Sequence, residues 1–233
     1  MGSCRTTDKQ PSEAPTWIMI KPSELTPPLS TRAIRAAEVK GLAQGLPLML
    51  RAGTCVANFL HARLSASSHV VVLIGPGNNG GDALVAALAL KNLGHTLTVV
   101  MPVAAPTASV DARQALLQWL VAGGSITQQL PTSRPDAVID GLFGIGLSRE
   151  LEQPWQTVID TVNEWQVPTL AIDIPSGLDA DTGKALGKPI RAHWTLSLIA
   201  PCLATVNIDG KRFCGECFVE DLDLGQSVST PAP

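Results

Sequence analysis

The chain has 233 residues, 45% of them hydrophobic and 16% charged, with a formal net charge of −3. This suits one α/β domain of ordinary to large size with ample core, and it gives no general attraction to nucleic acid or to an anionic membrane. No apolar run approaches a membrane span, five scattered cysteines favour reduced thiols over a secreted disulfide framework, and the lack of tyrosine removes phenolic acid–base chemistry.

Residues 1–29 are rich in proline, serine and threonine and read as a flexible tail with a short extended piece at Trp17-Ile-Met-Ile20. Met1-Gly-Ser-Cys-Arg-Thr6 matches a myristoylation pattern, but so short a match carries little weight. No apolar segment follows a basic start, so a cleavable signal is not expected. Ser30 is placed to cap an amphipathic helix over Thr31–Ala43 that ends near Gly45. Pro47 falls in the first turn of a second helix, whose apolar stripe is Leu48, Met49, Ala52, Val56 and Leu60.

From there strand and helix patterns alternate. Strands are expected at 70–74, 96–101, 136–140, 168–172, 195–199 and 216–219, and helices at 80–93, 108–122 and 154–165. Near-continuous apolar strands between helices predict a three-layer Rossmann-like sandwich with a mostly parallel central sheet, preceded by the two N-terminal helices. The domain is expected to span 30–225, with 226–233 a disordered end.

In such sheets the active site forms beyond the carboxyl ends of the strands. That rule gathers Gly75–Asp82, Asp140–Arg149 and Asp173–Asp179, each pairing a carboxylate with glycines that let a ligand approach the backbone. Gly75, Gly77 and Gly80 spell G-x-G-x-x-G, the nucleotide-binding fingerprint. Yet the second strand ends Val99-Val100-Met101-Pro102, without the acid that would hold the ribose of a bound NAD. No Gly-Lys-[Ser/Thr] follows for a Walker loop. Asn78, Asn79 and Asp82 add oxygen acceptors to the turn, which suit a sugar hydroxyl, a cation or a reacting centre better than phosphate alone.

The segment Gly75-Pro-Gly-Asn-Asn-Gly-Gly-Asp82 resembles the signature of the NAD(P)H-hydrate epimerases, the YjeF N-terminal domain family. The resemblance runs from about Ser30 to about Leu224. It includes Met49-Leu-Arg-Ala-Gly53, Asp140-Gly-Leu-Phe-Gly-Ile-Gly-Leu147 and Asp173-Ile-Pro-Ser-Gly-Leu-Asp-Ala-Asp-Thr-Gly183. It implies interconversion of the R and S forms of hydrated NADH and NADPH, damaged cofactors with water added at C6 of the nicotinamide ring. It implies that Asn78, Asn79, Gly80, Gly81 and Asp82 contact the substrate. Gly144, Ile145, Gly146, Leu147, Ser148, Arg149 and Glu150 would lie along it, with Arg149 a candidate for the phosphates. One potassium ion per subunit would bind at Asn79, Asp140 and Ser176, an oxygen set suited to a hard cation. A separate ADP- or ATP-dependent dehydratase acting on the S form, a homodimer and a cytoplasmic location are the further expectations.

Asp173 is the candidate acid–base and also a substrate contact. The plainer reading makes it a cap for the next turn. Ala83 stands where many members have glycine, and Cys202 where they usually have a lysine. Lys184, Lys188 and Lys211 are the cations that could compensate. The alternative function is therefore a catalytically weakened member serving as a binding or dimerisation module. Cys214-Gly-Glu-Cys217 lacks the second ligand pair of a zinc site, His193 being a weak candidate, and precedes a strand rather than opening a helix; it reads as two thiols. His61, His69, His95 and His193 are scattered, and no Gly-x-Ser-x-Gly elbow occurs.

Overall fold

The computed structural model describes residues 26–104 and 109–224; the expected extended piece at Trp17–Ile20 and the end at 226–233 lie outside them. In chain order the elements are α1 (Thr31–Ala43), α2 (Leu48–His61), β1 (His69–Ile74), α3 (Asn78–Asn92), β2 (Thr96–Val100), α4 (Val110–Val121) and β3 (Ile126–Thr127). Then follow β4 (Ala137–Gly141), α5 (Gln153–Trp165), β5 (Thr169–Ile172), β6 (Trp194–Leu198), a 3-10 turn (Leu203–Thr205), α6 (Ile208–Cys214) and β7 (Glu216–Glu220). The strands form one sheet in the order β3-β2-β1-β4-β5-β6-β7, and every neighbouring pair is parallel. The expected Rossmann-like sheet is thus present, with one more strand than the sequence pattern predicts. β3 is a two-residue edge strand, too short to leave a periodicity.

Apolar residues run continuously through the strands because both faces are covered. Val70, Val72 and Ile74 of β1 join the larger core with α2, α3 and α4, while Val71 and Leu73 join the smaller core with Trp155, Val158, Ile159 and Val162 of α5. The period-2 alternation of a strand makes that division. The α5 set falls at i, i+3, i+4 and i+7, one stripe of a helix, and full burial of each such side chain stabilises the fold by about 1.5–3 kcal/mol.

Ser30 caps α1 as expected, its hydroxyl accepting from the Ala33 N–H at 3.3 Å, and the chain then turns at Gly45 with φ +76°. Most boundaries fall within one or two residues of expectation, and two helix starts are among those that move. Pro47 is the residue before α2 rather than inside its first turn. α3 starts at Asn78, not Gly80, so both asparagines belong to its first turn. This second shift places their side chains and N–H groups at the crevice where the chain, having laid β2 and β3 on one side of β1, crosses to lay β4 on the other. Such a switch point is where open parallel sheets bind ligands.

Candidate active site

Three loops leave the carboxyl ends of β1, β4 and β5 and meet at this crevice. The first is pressed against the second: the Gly75 N–H donates to the Gly141 carbonyl at 3.0 Å, and any side chain at Gly75 would run into the Leu142 carbonyl. Gly77, the N-cap of α3, offers no side-chain cap. The first-turn N–H groups are therefore left for a ligand or water at the positive end of the helix.

Asp140 lies inside β4 and is completely buried. Its Oδ1 accepts from the Ser176 hydroxyl at 2.6 Å and the Leu142 N–H at 3.3 Å, and its Oδ2 accepts from the Ser176 N–H at 2.8 Å. The Ser176 Oγ also accepts from the Phe143 N–H at 2.9 Å. Burial pushes the Asp140 carboxyl up to about 6, with these hydrogen bonds pulling the other way.

Asp173, one residue past β5, has φ +63°, the left-handed region that non-glycine residues seldom occupy. Its N–H donates to the Leu196 carbonyl at 2.9 Å, and its Oδ1 accepts from the Leu198 N–H at 3.3 Å. Burial pushes the carboxyl up to about 7; the Leu198 bond opposes this and the nearby Glu38 adds to it. Ile199 (φ +72°) and Leu222 (φ +57°) are strained in the same way and line the same cavity. Backbone strain therefore collects around Asp173, as it does at functional sites.

The cavity holds about 540 Å³. Its wall includes Asn78, Asn79, Asp82, Gly144–Leu147 and Asp173. Asp82 is held well above the usual carboxylate range by burial first, and then by Asp173, Glu38 and Asp111. A Cβ on Gly144 would lie 2.8 Å from the Asp173 Oδ2 and 3.2 Å from the Asn79 Oδ1. The carboxylate and the amide therefore converge on one spot that only glycine leaves open. Both polar atoms of the Asn79 side chain are buried without a hydrogen-bond partner. A buried orphan amide is costly, which points to a ligand that completes it.

The Asn79 amide carbonyl, the Asp140 carboxylate and the Ser176 hydroxyl are all oxygen donors, the kind a hard cation takes. Among the described residues no group of three or more His, Cys, Asp or Glu side chains is placed to hold a metal ion.

Gly80 and Gly81 are buried within α3, and Ser148, Arg149 and Glu150 are exposed outside the cavity wall. Asp140 and Ser176 lie beneath the wall rather than in it. None of Lys184, Lys188 and Lys211 reaches the wall; Lys188 pairs instead with Asp160 at 3.0 Å. Cys202 is buried and its thiol is pushed up to about 12, mainly by burial, so it is uncharged at neutral pH.

Sequence reasoning missed the contribution of α1, whose Arg35, Glu38, Val39 and Leu42 also form the wall. Their i, i+3, i+4, i+7 spacing is the one sequence signal that could have grouped them. The Asn78 Nδ2 donates to the Glu38 Oε1 at 3.2 Å, tying α1 to the glycine turn.

A family model described as YjeF-related protein N-terminus matches residues 45–204. Over 195 residues the chain is 48% identical to a Bordetella pertussis protein named NAD(P)H-hydrate epimerase, covering 82% of this chain and 86% of that one. A protein of the same name from Achromobacter xylosoxidans is 45% identical over 210 residues, covering 89% of this chain and all of that one. A bifunctional NAD(P)H-hydrate repair enzyme Nnr from Thermofilum pendens is 34% identical over 203 residues, which cover 83% of this chain but 38% of that longer protein. The crystal structure of yeast ynu0 shares the fold, with a TM-score of 0.69 at 22% identity over 80% of this chain and 86% of that one.

Proposed function

We propose that this chain, which belongs to the family of YjeF-related protein N-termini, interconverts the R and S forms of hydrated NADH and NADPH. The observation that carries the reading is the convergence of Asp173 and Asn79 on the space above Gly144. The hydrate's C6 bears both a hydroxyl and the ring nitrogen, so its C–O bond can break with the nitrogen lone pair filling in. Asp173, pushed up to about 7, is partly protonated at neutral pH and can give its proton to the departing hydroxyl. Water leaves, and C6 is left trigonal, as the carbon of an iminium cation with the ring nitrogen. Water then adds to either face and returns a proton to Asp173, so the step is balanced and needs no redox partner. Asn78, Asn79 and Asp82, with the Gly144–Leu147 backbone, hold the ring and ribose; Gly80 and Gly81 let α3 come close behind them.

A potassium ion, one per subunit, would be held by Asn79, Asp140 and Ser176. When bound it supplies a fixed positive charge that offsets the buried Asp140 and ties the three loops together. Residues 30–225 would act as one catalytic domain, as a cytoplasmic homodimer through the N-terminal helices, where Leu50 stands exposed away from the cavity wall. Among the described residues no helix is long and apolar enough to cross a membrane. A separate ADP- or ATP-dependent dehydratase would consume the S form. The two-activity name of the Thermofilum pendens relative, and the length of that protein beyond the match, support such a pairing.

The uncharged Cys202 thiol, where the family resemblance leads one to expect a lysine, favours a second reading: a weakened member that serves as a binding or dimerisation module. One assay separates the two. The purified chain is mixed with equilibrated NADH hydrate, an S-specific dehydratase and its nucleotide. Consumption of the R form well above the spontaneous rate is expected. Decay at the spontaneous rate alone would leave the module reading standing.

A further inference from the structure

The charged residues of the cavity wall are Arg35, Glu38, Asp82, Asp111 and Asp173: one cation among four acids. A dinucleotide's diphosphate is a dianion, and an acidic cavity repels it unless its charge is met locally. Arg149 lies outside the wall, and the lysines considered as substitutes do not reach it. Arg35 does, from α1, one helical turn before Glu38. Through Glu38 that face of α1 is joined to Asn78 in the first turn of α3. On its other side the Arg35 guanidinium closes on the second glycine loop, since a Cβ at Gly146 would lie 2.9 Å from the Arg35 Nη2. The guanidinium thus lies beside the Gly144–Leu147 backbone, on a helix that Glu38 ties to the first turn of α3. Among the described residues it has no hydrogen bond or ion pair of its own, so its fork of donors is uncommitted.

We infer that Arg35 is the diphosphate anchor of the substrate, a binding residue that positions the nicotinamide end over Gly144. This deepens the epimerase reading and rests on it for the nature of the dinucleotide. A guanidinium meets a phosphate through two parallel N–H···O bonds, which fix orientation as well as charge. The start of α3, left without a side-chain cap by Gly77, lines the same cavity and offers further N–H donors to an anion.

The test uses the full chain and two substrates, the NADH hydrate and the hydrate of dihydronicotinamide riboside, which has the same ring and no phosphate. Arg35→Ala is expected to raise KM for the dinucleotide by about 10- to 100-fold with kcat largely kept. It should leave the riboside rate unchanged. Arg35→Lys should recover part of the loss, since a point charge replaces a fork. Arg32→Ala, on the same helix but outside the wall, should behave as the unaltered protein. Calorimetry with ADP-ribose, which carries the diphosphate but no ring, should show binding that weakens in Arg35→Ala. Equal KM values for the two proteins on the dinucleotide, or equal losses on both substrates, would overturn the anchor while leaving the epimerase intact. Arg35-dependent binding of ADP-ribose by a chain without turnover would overturn the epimerase reading and leave the anchor.

Discussion

Asp140 and Asp173 sit at the carboxyl ends of adjacent strands, Asp140 fully buried and Asp173 half-buried, both with carboxyls raised by desolvation, yet their surroundings differ. Asp140 accepts three hydrogen bonds from Ser176 and Leu142 and lies in regular strand backbone. Asp173 accepts one long bond at Oδ1, sits at φ +63°, and turns Oδ2 toward a space kept clear by Gly144. The role of a carboxylate follows from what its lone pairs already do. Those of Asp140 are committed to the protein and suit it to fasten loops around a cation. Those of Asp173 are largely free, at a strained position that neighbouring structure holds in place. Substituting each by asparagine, which keeps the shape and removes the charge, tests this division directly.

The largest effect is expected at Asp173. Asparagine has no proton to give, so Asp173→Asn should lower the epimerisation rate by about 10²- to 10⁴-fold, the usual span for a general acid–base. The dehydratase-coupled assay measures it, and a near-normal rate would remove Asp173 from the chemistry. The unaltered protein should also lose hydroxyl-departure rate as pH rises through about 7, where the carboxyl gives up its proton. Asp173→Asn should not show that limb.

At Asp140 the same change should act on stability. One of the new side-chain ends is an NH₂, and the carboxylate it replaces accepts from three donors. At least one donor then faces another donor inside a fully buried pocket. Asp140→Asn should therefore cost about 2–4 kcal/mol, read as a lower urea midpoint at unchanged slope. A midpoint equal to that of the unaltered chain would mean that Asp140 is not fastened as its hydrogen bonds indicate.

Much of this was legible in the sequence because the chemistry is written in short runs. The strand ends near Ile74, Gly141 and Ile172 follow from apolar runs that stop at glycine or aspartate, and one topological rule brings the three loops together. What was hidden depends on distance or on burial. Arg35 and Glu38 meet residues some 40 to 110 positions away, in a helix whose own pattern says only that one side is wet. Arg149 follows the glycine loop directly and so reads as a phosphate contact, but the chain carries it out of the cavity wall. The positive φ values of Asp173 and Ile199 have no glycine to announce them. The Asn79 amide is an orphan only because packing closes over it, and α6 and β3 are too short to show a period.

The smallest effect is the sharpest for the comparison, because only one of the two substitutions should cost stability near pH 4. The Asp173 carboxyl titrates at about 7 in the folded chain against an ordinary 3.8, so between those values the folded state binds more protons than the unfolded one. Its contribution to stability is therefore full below about pH 3.8 and is lost as pH rises toward 7. Asparagine carries no such dependence. Asp173→Asn should match the unaltered protein near pH 4 and exceed it by about 1–3 kcal/mol at pH 8, a range that allows for water reaching the carboxyl through the cavity. Urea midpoints in choline buffer, free of potassium, at the two pH values give the measurement. Asp140→Asn strands a donor but also removes a carboxyl raised to about 6, so its deficit should be largest near pH 4 and shrink toward pH 8. If Asp173→Asn were the less stable protein at pH 8, its carboxylate would be fastened like that of Asp140, and the division between a structural and a reactive aspartate would fail.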